Sequence, residues 1–396
     1  MHRIEMKSHP VLFRISGLSW VRSTVFLLSA SFSVASFAAV LPKERADVMF
    51  HSYDGGGVTI NGPSVLVRKN YLDKYSVTAN VYVDNITGAS IDVEILASEY
   101  TEERTELSLG VDYLVNKTIL GLGYTNSSEN DYKANTIYGS VSQDFFGDLS
   151  SVSFTYSQGW DEVSKTDDEG FGSRDVDHQK YVLSLSQILT KKWLMNVSLQ
   201  TDVDEGFLNN PYRKYSALNE GGIGREFFDE IYPESRTSDA MAIRFKRYMP
   251  NRAALGFEFR AYQDSWGIDA YNFDVNYTRR WEDNWIFEVH HRWYSQKRAD
   301  FYSDIFAFNS QQNFKARDKE LSTFVSGTLG IGATYEYEPQ EWGFVEKVAV
   351  SLLYDKMNIR YSNFLDAREE DSVGAGNESK YSLEADIIRL FCTVWY

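Results

Sequence analysis

In TELSLGVDY (105–113), Leu107, Leu109, Val111 and Tyr113 fall on one phase, and Glu106, Ser108 and Asp112 fall on the other. GIDAYNFDVNYT (267–278) repeats the pattern, with Tyr271, Phe273, Val275 and Tyr277 opposed to Asn272, Asp274, Asn276 and Thr278. A period of two is the period of a β-strand, whose successive side chains point to opposite faces. Recurring along the chain, apolar on one face and polar or charged on the other, it predicts a transmembrane antiparallel up-and-down β-barrel.

The N-terminal residues fit export to such a place. Arg3, Lys7, Arg14 and Arg22 precede an apolar run, VFLLSASFSVASFA (25–38), that closes on the small-x-small triplet Ser36-Phe37-Ala38. This is the layout of a secretory signal peptide over 1–38, cleaved between Ala38 and Ala39, with the barrel occupying 39–396. The competing reading is an uncleaved anchor helix, for which the run is short. Translation from Met6 would trim the long charged region. Without residues 1–38, which hold four Lys/Arg and one Asp/Glu, 36 basic and 55 acidic residues remain, a net charge of −19. That charge argues against nucleic acid or anionic lipid as a general partner. Cys392 is the single cysteine, which leaves no internal disulfide and no lipid attachment near the signal. No other stretch approaches ~18 consecutive apolar residues, so no transmembrane helix is expected.

Tracing the alternation predicts strands near 64–71, 74–84, 103–114, 117–126, 134–144, 149–158, 180–188, 193–203, 238–248, 253–264, 267–279, 284–296, 321–337, 344–360 and 381–396. Short turns are expected at Asp73-Lys74, Asn116-Lys117, 146–148, 190–192, Pro250-Asn251-Arg252, 282–284 and Pro339-Gln340-Glu341. Longer polar loops lie between them, with 263–267 as the one brief exception. Short turns on one rim and long loops on the other match periplasmic and extracellular faces. The strands traced are odd in number, whereas single-chain bacterial barrels have even numbers. Ala46–Tyr53, followed by Gly55-Gly56-Gly57, supplies the missing first strand and gives about 16. The rival is 14 strands with the N-terminal stretch folded inside as a plug.

Rings concentrate at strand ends, among them Tyr113, Tyr124, Tyr156, Trp193, Trp285, Trp293 and Tyr337, as the membrane–water interface favours. A soluble sandwich would also bury rings, but it gives no reason for turns and loops to alternate. Ile388, Leu390, Cys392, Val394 and Tyr396 are apolar at every second position. A last strand with a terminal aromatic resembles the signal read by the outer-membrane barrel assembly machinery, with Tyr where Phe is usual. Cys392 then faces lipid as a small apolar residue.

Placing the apolar phase toward lipid turns Arg244, Lys246, Glu258, Arg260, Asp274, Glu288, His290 and Arg292 toward the lumen. Such mixed charges either select solutes in a pore or pair across strands and fill the barrel. Enzymatic readings have less to stand on. HSYD (51–54) supplies His, Ser and Asp, but adjacency is not convergence, and a strand end is the simpler role. His290 and His291 point oppositely and cannot chelate one metal together. No nucleophile elbow, phosphate loop or HExxH occurs, so no cofactor or metal is assigned. Glycines in GLG (121–123) and GIG (330–332) relieve crowding within strands. The acidic clusters Asp167-Asp168-Glu169, Asp175 with Asp177, and Glu369-Glu370-Asp371 either share Ca²⁺ or Mg²⁺ with lipopolysaccharide or are solvated loops. Loop 204–237 is the longest. Its Asn209-Asn210-Pro211-Tyr212 run is a turn with an aromatic anchor, suited to an inward-folded constriction.

RADVMFHSYDGGGVTINGPSVLVRK (45–69), YTEERTELSLGVDYL (100–114), SQDFFGDLS (142–150), DEGFLNNPYR (204–213), SWGIDAY (265–271) and ARDKELSTF (316–324) together resemble a bacterial family catalogued as domain of unknown function 3570. The resemblance spans nearly the whole mature chain. It implies an exported outer-membrane barrel with no catalytic residues to carry over. It also implies gene neighbourhoods with a flavin transferase and thioredoxin-like proteins, though no residue here marks a flavin site. The leading functional expectation is a channel or porin for small solutes. The second is a structural barrel that binds another cell-envelope protein, and the third is a membrane-embedded hydrolase. The expected partners are outer-membrane lipid, lipopolysaccharide and the assembly machinery.

Overall fold

The computed structural model describes residues 40–88, 100–166, 168, 170–222 and 224–396. The expected signal segment with its cleavage site at Ala38 and Ala39, and Asp167 and Glu169 of the first acidic cluster, lie outside them. Sixteen strands close into one antiparallel barrel. They are β1 (Arg45–Gly55), β2 (Val58–Tyr71), β3 (Tyr75–Gly88), β4 (Tyr100–Val115), β5 (Thr118–Ser128), β6 (Tyr132–Phe145), β7 (Ser150–Val163), β8 (Arg174–Thr190) and β9 (Trp193–Gly206), then β12 (Ser235–Met249), β13 (Ala253–Asp264), β14 (Asp269–Trp281), β15 (Trp285–Gln296), β16 (Phe324–Tyr337), β17 (Lys347–Leu365) and β18 (Lys380–Trp395). A separate hairpin, β10 (Lys214–Leu218) with β11 (Arg225–Asp229), sits within the β9–β12 connection.

Every strand traced from the alternation is present, including the one recruited by parity. β1 pairs with β2 from Arg45↔Arg68 to Gly55↔Val58 and with β18 from Arg45↔Trp395 to Gly55↔Ala385. The N-terminal stretch is therefore wall, and the 14-strand arrangement with an internal plug does not hold. Gly56 and Gly57 close the β1–β2 hairpin at φ 61° and 78°, the positive values that a two-residue hairpin turn demands. Two connections differ from the expectation. Residues 338–346 form a nine-residue link rather than a three-residue turn, because the ladder stops at Tyr337, just before Pro339, which has no N–H to donate. Residues 129–131, on the opposite rim, are as brief as the 265–268 link, because β5 and β6 run further than their alternation does.

The two phases separate as a membrane requires. Val48, Phe50, Val65, Val67, Leu107, Leu109, Leu329, Ile331, Ile388 and Leu390 stand exposed on the outer surface. Inside, His51, Asp84, Arg104, Asp355 and Arg389 are buried. Glycines make room for them. A Cβ on Gly330 would overlap both Asp355 and His290, and one on Gly62, opposite His51, would overlap the Val83 carbonyl oxygen.

That carbonyl belongs to the backbone of the neighbouring strand and has nowhere to swing. Gly62→Ala should lower barrel stability by about 1–3 kcal/mol, the usual cost of overpacking. The reading is the denaturant midpoint of the detergent-folded protein, and an unchanged midpoint would mean that β2 and β3 have slack at this rung.

Candidate functional site

The inward charges pair across strands along the hydrogen-bonded rungs. Arg244, Glu258, Asp274 and Arg292 are consecutive partners on β12, β13, β14 and β15, a plus-minus-minus-plus row. Arg244 bonds Glu258 and also reaches Asn196 on β9 at 3.3 Å, and Arg292 lies 3.6 Å from Asp274. His290 stands 3.3 Å from Asp355 on β17, which also holds Arg389 on β18. Arg260 donates to Gln200 at 3.5 Å. Lys246 and Glu288 make no ion pair among the described residues. His291 turns outward and faces the Thr328 carbonyl at 3.0 Å, opposite to His290.

Across the seam the belt continues in a form that the sequence did not reveal. His51 Nε2 lies 2.8 Å from Asp84 and 3.1 Å from the Tyr82 hydroxyl, with the His51 and Tyr82 rings stacked at 5.0 Å. Arg104 Nε is 3.2 Å from the other Asp84 oxygen. His51 therefore looks to Asp84 and Tyr82, while Ser52 lies on the other face of the strand, so HSYD does not bring its serine to its histidine. The belt is uneven in its access to water. Arg244 and Arg292 keep 37% of their side-chain surface, whereas Arg104 and Arg389 keep 6%.

Above the belt, three long loops fold together into a cap. The β9–β12 loop carries the β10–β11 hairpin, and its Leu218 N–H donates to the Phe306 carbonyl at 2.9 Å in the β15–β16 loop. Ile231 and Lys315 exchange both backbone bonds, at 3.0 and 2.9 Å. Trp266, Phe301 and Tyr232 meet edge-on or tilted at 5.1–5.4 Å, and Tyr302 and Phe364 are almost fully buried beside them. Arg225, only 1% exposed, is held by Asp304 at 3.1 Å, Glu370 at 3.3 Å and Glu378 at 2.6 Å. Arg213 bonds Asp318 at 2.6 Å and Glu320 at 3.5 Å. Arg236 pairs with Asp264 at 2.8 Å, its guanidinium 3.9 Å from the Trp266 ring centre.

These contacts span the mouth. On one side Tyr212 accepts from the Thr166 N–H at 2.7 Å, beyond the end of β7. On the other, Arg225 reaches Glu378, just before β18. The same loop thus bridges wall strands seven places apart around the sixteen-strand ring, close to opposite sides. The Asn210 side chain caps the turn by accepting from the Tyr212 N–H at 2.9 Å, so the anchor read in 209–212 lies where the loop crosses. The β15–β16 loop drew no functional reading from the sequence. Its signal was FYSDIFAFNSQQNF (301–314), a ring-rich stretch with no period of two. Glu102, Glu129 and Asp131 bring one oxygen each within 4.8 Å of one another, a spacing that a divalent cation fits, with no further observation pointing to one.

Arg225 is the hub of the cap, and buried charges without partners are costly. Arg225→Gln should destabilise the cap by about 3–5 kcal/mol while the wall stays closed. Limited proteolysis should then cut within 207–234, where the unaltered chain resists; equal resistance would remove Arg225 from that role. The cap should also loosen with rising pH. Burial raises the carboxyls of Glu230 and Asp318 above the ordinary range, helped for Glu230 by the Asp318 charge and for Asp318 by the Glu320 charge. A raised carboxyl holds its proton in the closed cap and releases it in the open one. This contribution is full below the ordinary carboxyl range and is lost as pH rises through the raised values. Cleavage should therefore accelerate from about pH 5 to about pH 8, and Glu230→Gln should flatten the profile.

No curated protein sequence matches the chain. Among solved structures it is similar to a bacterial polysaccharide outer membrane secretin, at 9% identity over 91% of this chain and 99% of that one, with a TM-score of 0.45. It is also similar to a Pseudomonas aeruginosa FadL homologue, at 10% identity over 89% and 90%, with a TM-score of 0.42. A third is the outer membrane protein opdK from Pseudomonas aeruginosa, at 8% identity over 89% and 100%, with a TM-score of 0.40. A family model described as "Protein of unknown function (DUF3570)" matches residues 94–344, more than half of the chain, and the chain belongs to that family.

Proposed function

We propose that the protein is an outer-membrane channel for small polar solutes, with its extracellular entrance narrowed by the three-loop cap. The carrying observation is the exposure of Arg244 and Arg292. Both lie on the inward phase, and both keep over a third of their side-chain surface accessible. Side chains that point into a barrel and remain accessible border space that water fills. A 16-stranded wall encloses a lumen wide enough for an aqueous path. The row Arg244–Glu258–Asp274–Arg292 gives that path a charged lining with no net charge, which favours neutral or zwitterionic solutes over either ion.

Planar-bilayer recordings test this. The unaltered chain should give discrete conductance steps, and Arg225→Gln should give larger ones by loosening the cap. Arg292→Ala should shift the reversal potential toward cation selectivity, because Glu258 and Asp274 then face one arginine instead of two. If neither the unaltered chain nor the Arg225→Gln variant conducts, the channel is refuted and a barrel that binds another envelope protein becomes the better account.

A further inference from the structure

On the outer wall, at the rim of the short turns, a groove of about 480 Å³ is lined by Leu189, Thr190, Trp193, Phe245 and Phe257. Its origin is local. The β8–β9 register shifts between Ile188 and Thr190, and such a bulge bends the strand away from its neighbour. Trp193 packs edge-on against Phe245 at 6.3 Å to form one flank. The groove runs inward from the rim over one two-residue step, about 7 Å of strand.

Its rim is basic. Lys191 and Lys192 make the turn itself, and the Lys192 carbonyl accepts from the Tyr248 N–H at 2.8 Å, tying the turn to β12. Arg247, in register with Trp193 and so outward, sets its guanidinium 5.4 Å from that ring centre. None of the three cations has a carboxylate partner among the described residues. Elsewhere on the same rim, Lys69 pairs with Glu44, Lys117 with Asp148, Arg252 with Asp283 and Lys347 with Glu336. Lys74 and Arg279 on this rim also lack a carboxylate among the described residues, but in a chain of net charge −16 three such cations gathered around one apolar groove form a local basic patch.

We infer that this groove binds one anionic glycerophospholipid of the periplasmic leaflet. Its phosphate lies among Lys191, Lys192 and Arg247, and the upper part of one acyl chain lies along Trp193, Phe245 and Phe257. Trp at the interface, a cation over its face and apolar side chains one step deeper match the polarity gradient of a lipid. The short-turn rim is the periplasmic one, which assigns the occupant to phospholipid rather than lipopolysaccharide. The site does not depend on whether the lumen conducts.

Native mass spectrometry of the full chain, titrated with phosphatidylglycerol, phosphatidylethanolamine or lipopolysaccharide, tests the site. One phosphatidylglycerol should be retained in preference to phosphatidylethanolamine. Each basic residue near a membrane surface is worth about fivefold in anionic-lipid affinity, so Arg247→Gln should weaken retention about fivefold and the triple Lys191→Gln, Lys192→Gln, Arg247→Gln variant about a hundredfold. Arg279, which stands 5.4 Å from the Trp281 ring on another part of the same rim, is the control, and Arg279→Gln should change nothing. The single Arg247→Gln variant keeps the test decisive if the triple variant folds poorly. Equal retention of the two phospholipids, preference for lipopolysaccharide, or an Arg279→Gln effect as large as that of Arg247→Gln would each overturn the site.

Discussion

A backbone that crosses lipid has to satisfy every N–H and C=O from within, because the hydrocarbon offers no partner. In this chain the constraint comes to bear on one seam, where β1 meets β18 over eleven consecutive pairs from Arg45↔Trp395 to Gly55↔Ala385. Without that seam both strands would be edges, and the lumen would open sideways into lipid. Closure also fixes the phase of every strand relative to the barrel axis. Once β1 is locked between β2 and β18, His51 has to point inward against Gly62 and beside Arg389. The polar interior is thus a consequence of closing the sheet, and the side chains there are arranged to tolerate it.

They tolerate it in two ways. Around β1, β3, β4, β17 and β18 the charges are dry and closely matched, as Asp84 is by Arg104, with His51 at hydrogen-bond distance, and Asp355 is by Arg389. Around β12 to β15 the charges stay accessible, with Arg244 and Arg292 each keeping 37% of their side-chain surface, whether the match is close, as for Arg244 with Glu258, or 3.6 Å, as for Arg292 with Asp274. Desolvating a pair costs more than its attraction returns unless the geometry is close. The dry half therefore behaves as packed structure, and the accessible half is the one on which the proposed solute path rests. The cap follows the rule of the dry half: Arg225 is buried and bonded to three carboxylates from two other loops.

What could be read beforehand was whatever depends on neighbours in sequence. Alternation is local, so the strands, the inward phase of Arg244 to Arg292 and the opposite directions of His290 and His291 were all legible. Parity extended this to Ala46–Tyr53, whose own pattern is weak. Illegible were contacts between residues far apart in the chain. Arg225 and Glu378 are separated by 153 positions, and His51 and Asp84 by 33, with no periodicity to link them. The β10–β11 hairpin escaped for a related reason: its strands are five residues each, too short for alternation to stand out. The 338–346 link was misjudged because proline marks where a ladder stops, not how soon the next one starts.

The placement of cations along the axis follows from the medium each one faces. In the cap, the buried Arg225 is surrounded by carboxylates of the same chain. In the accessible half of the lumen, Arg244 and Arg292 each stand beside one carboxylate. At the periplasmic rim the medium beyond the wall is itself anionic in part, and a cation there can be left without an internal partner at little cost, because its desolvation is slight and a phosphate is at hand. Lys191, Lys192 and Arg247 are placed in this way, while Lys117 and Lys347, on the same rim, carry carboxylates of their own. The rim is therefore divided into a part that is complete by itself and a part completed from outside. Three such cations gathered around one apolar groove, and not an apolar surface or a lone cation, distinguish a binding site from ordinary lipid-facing wall.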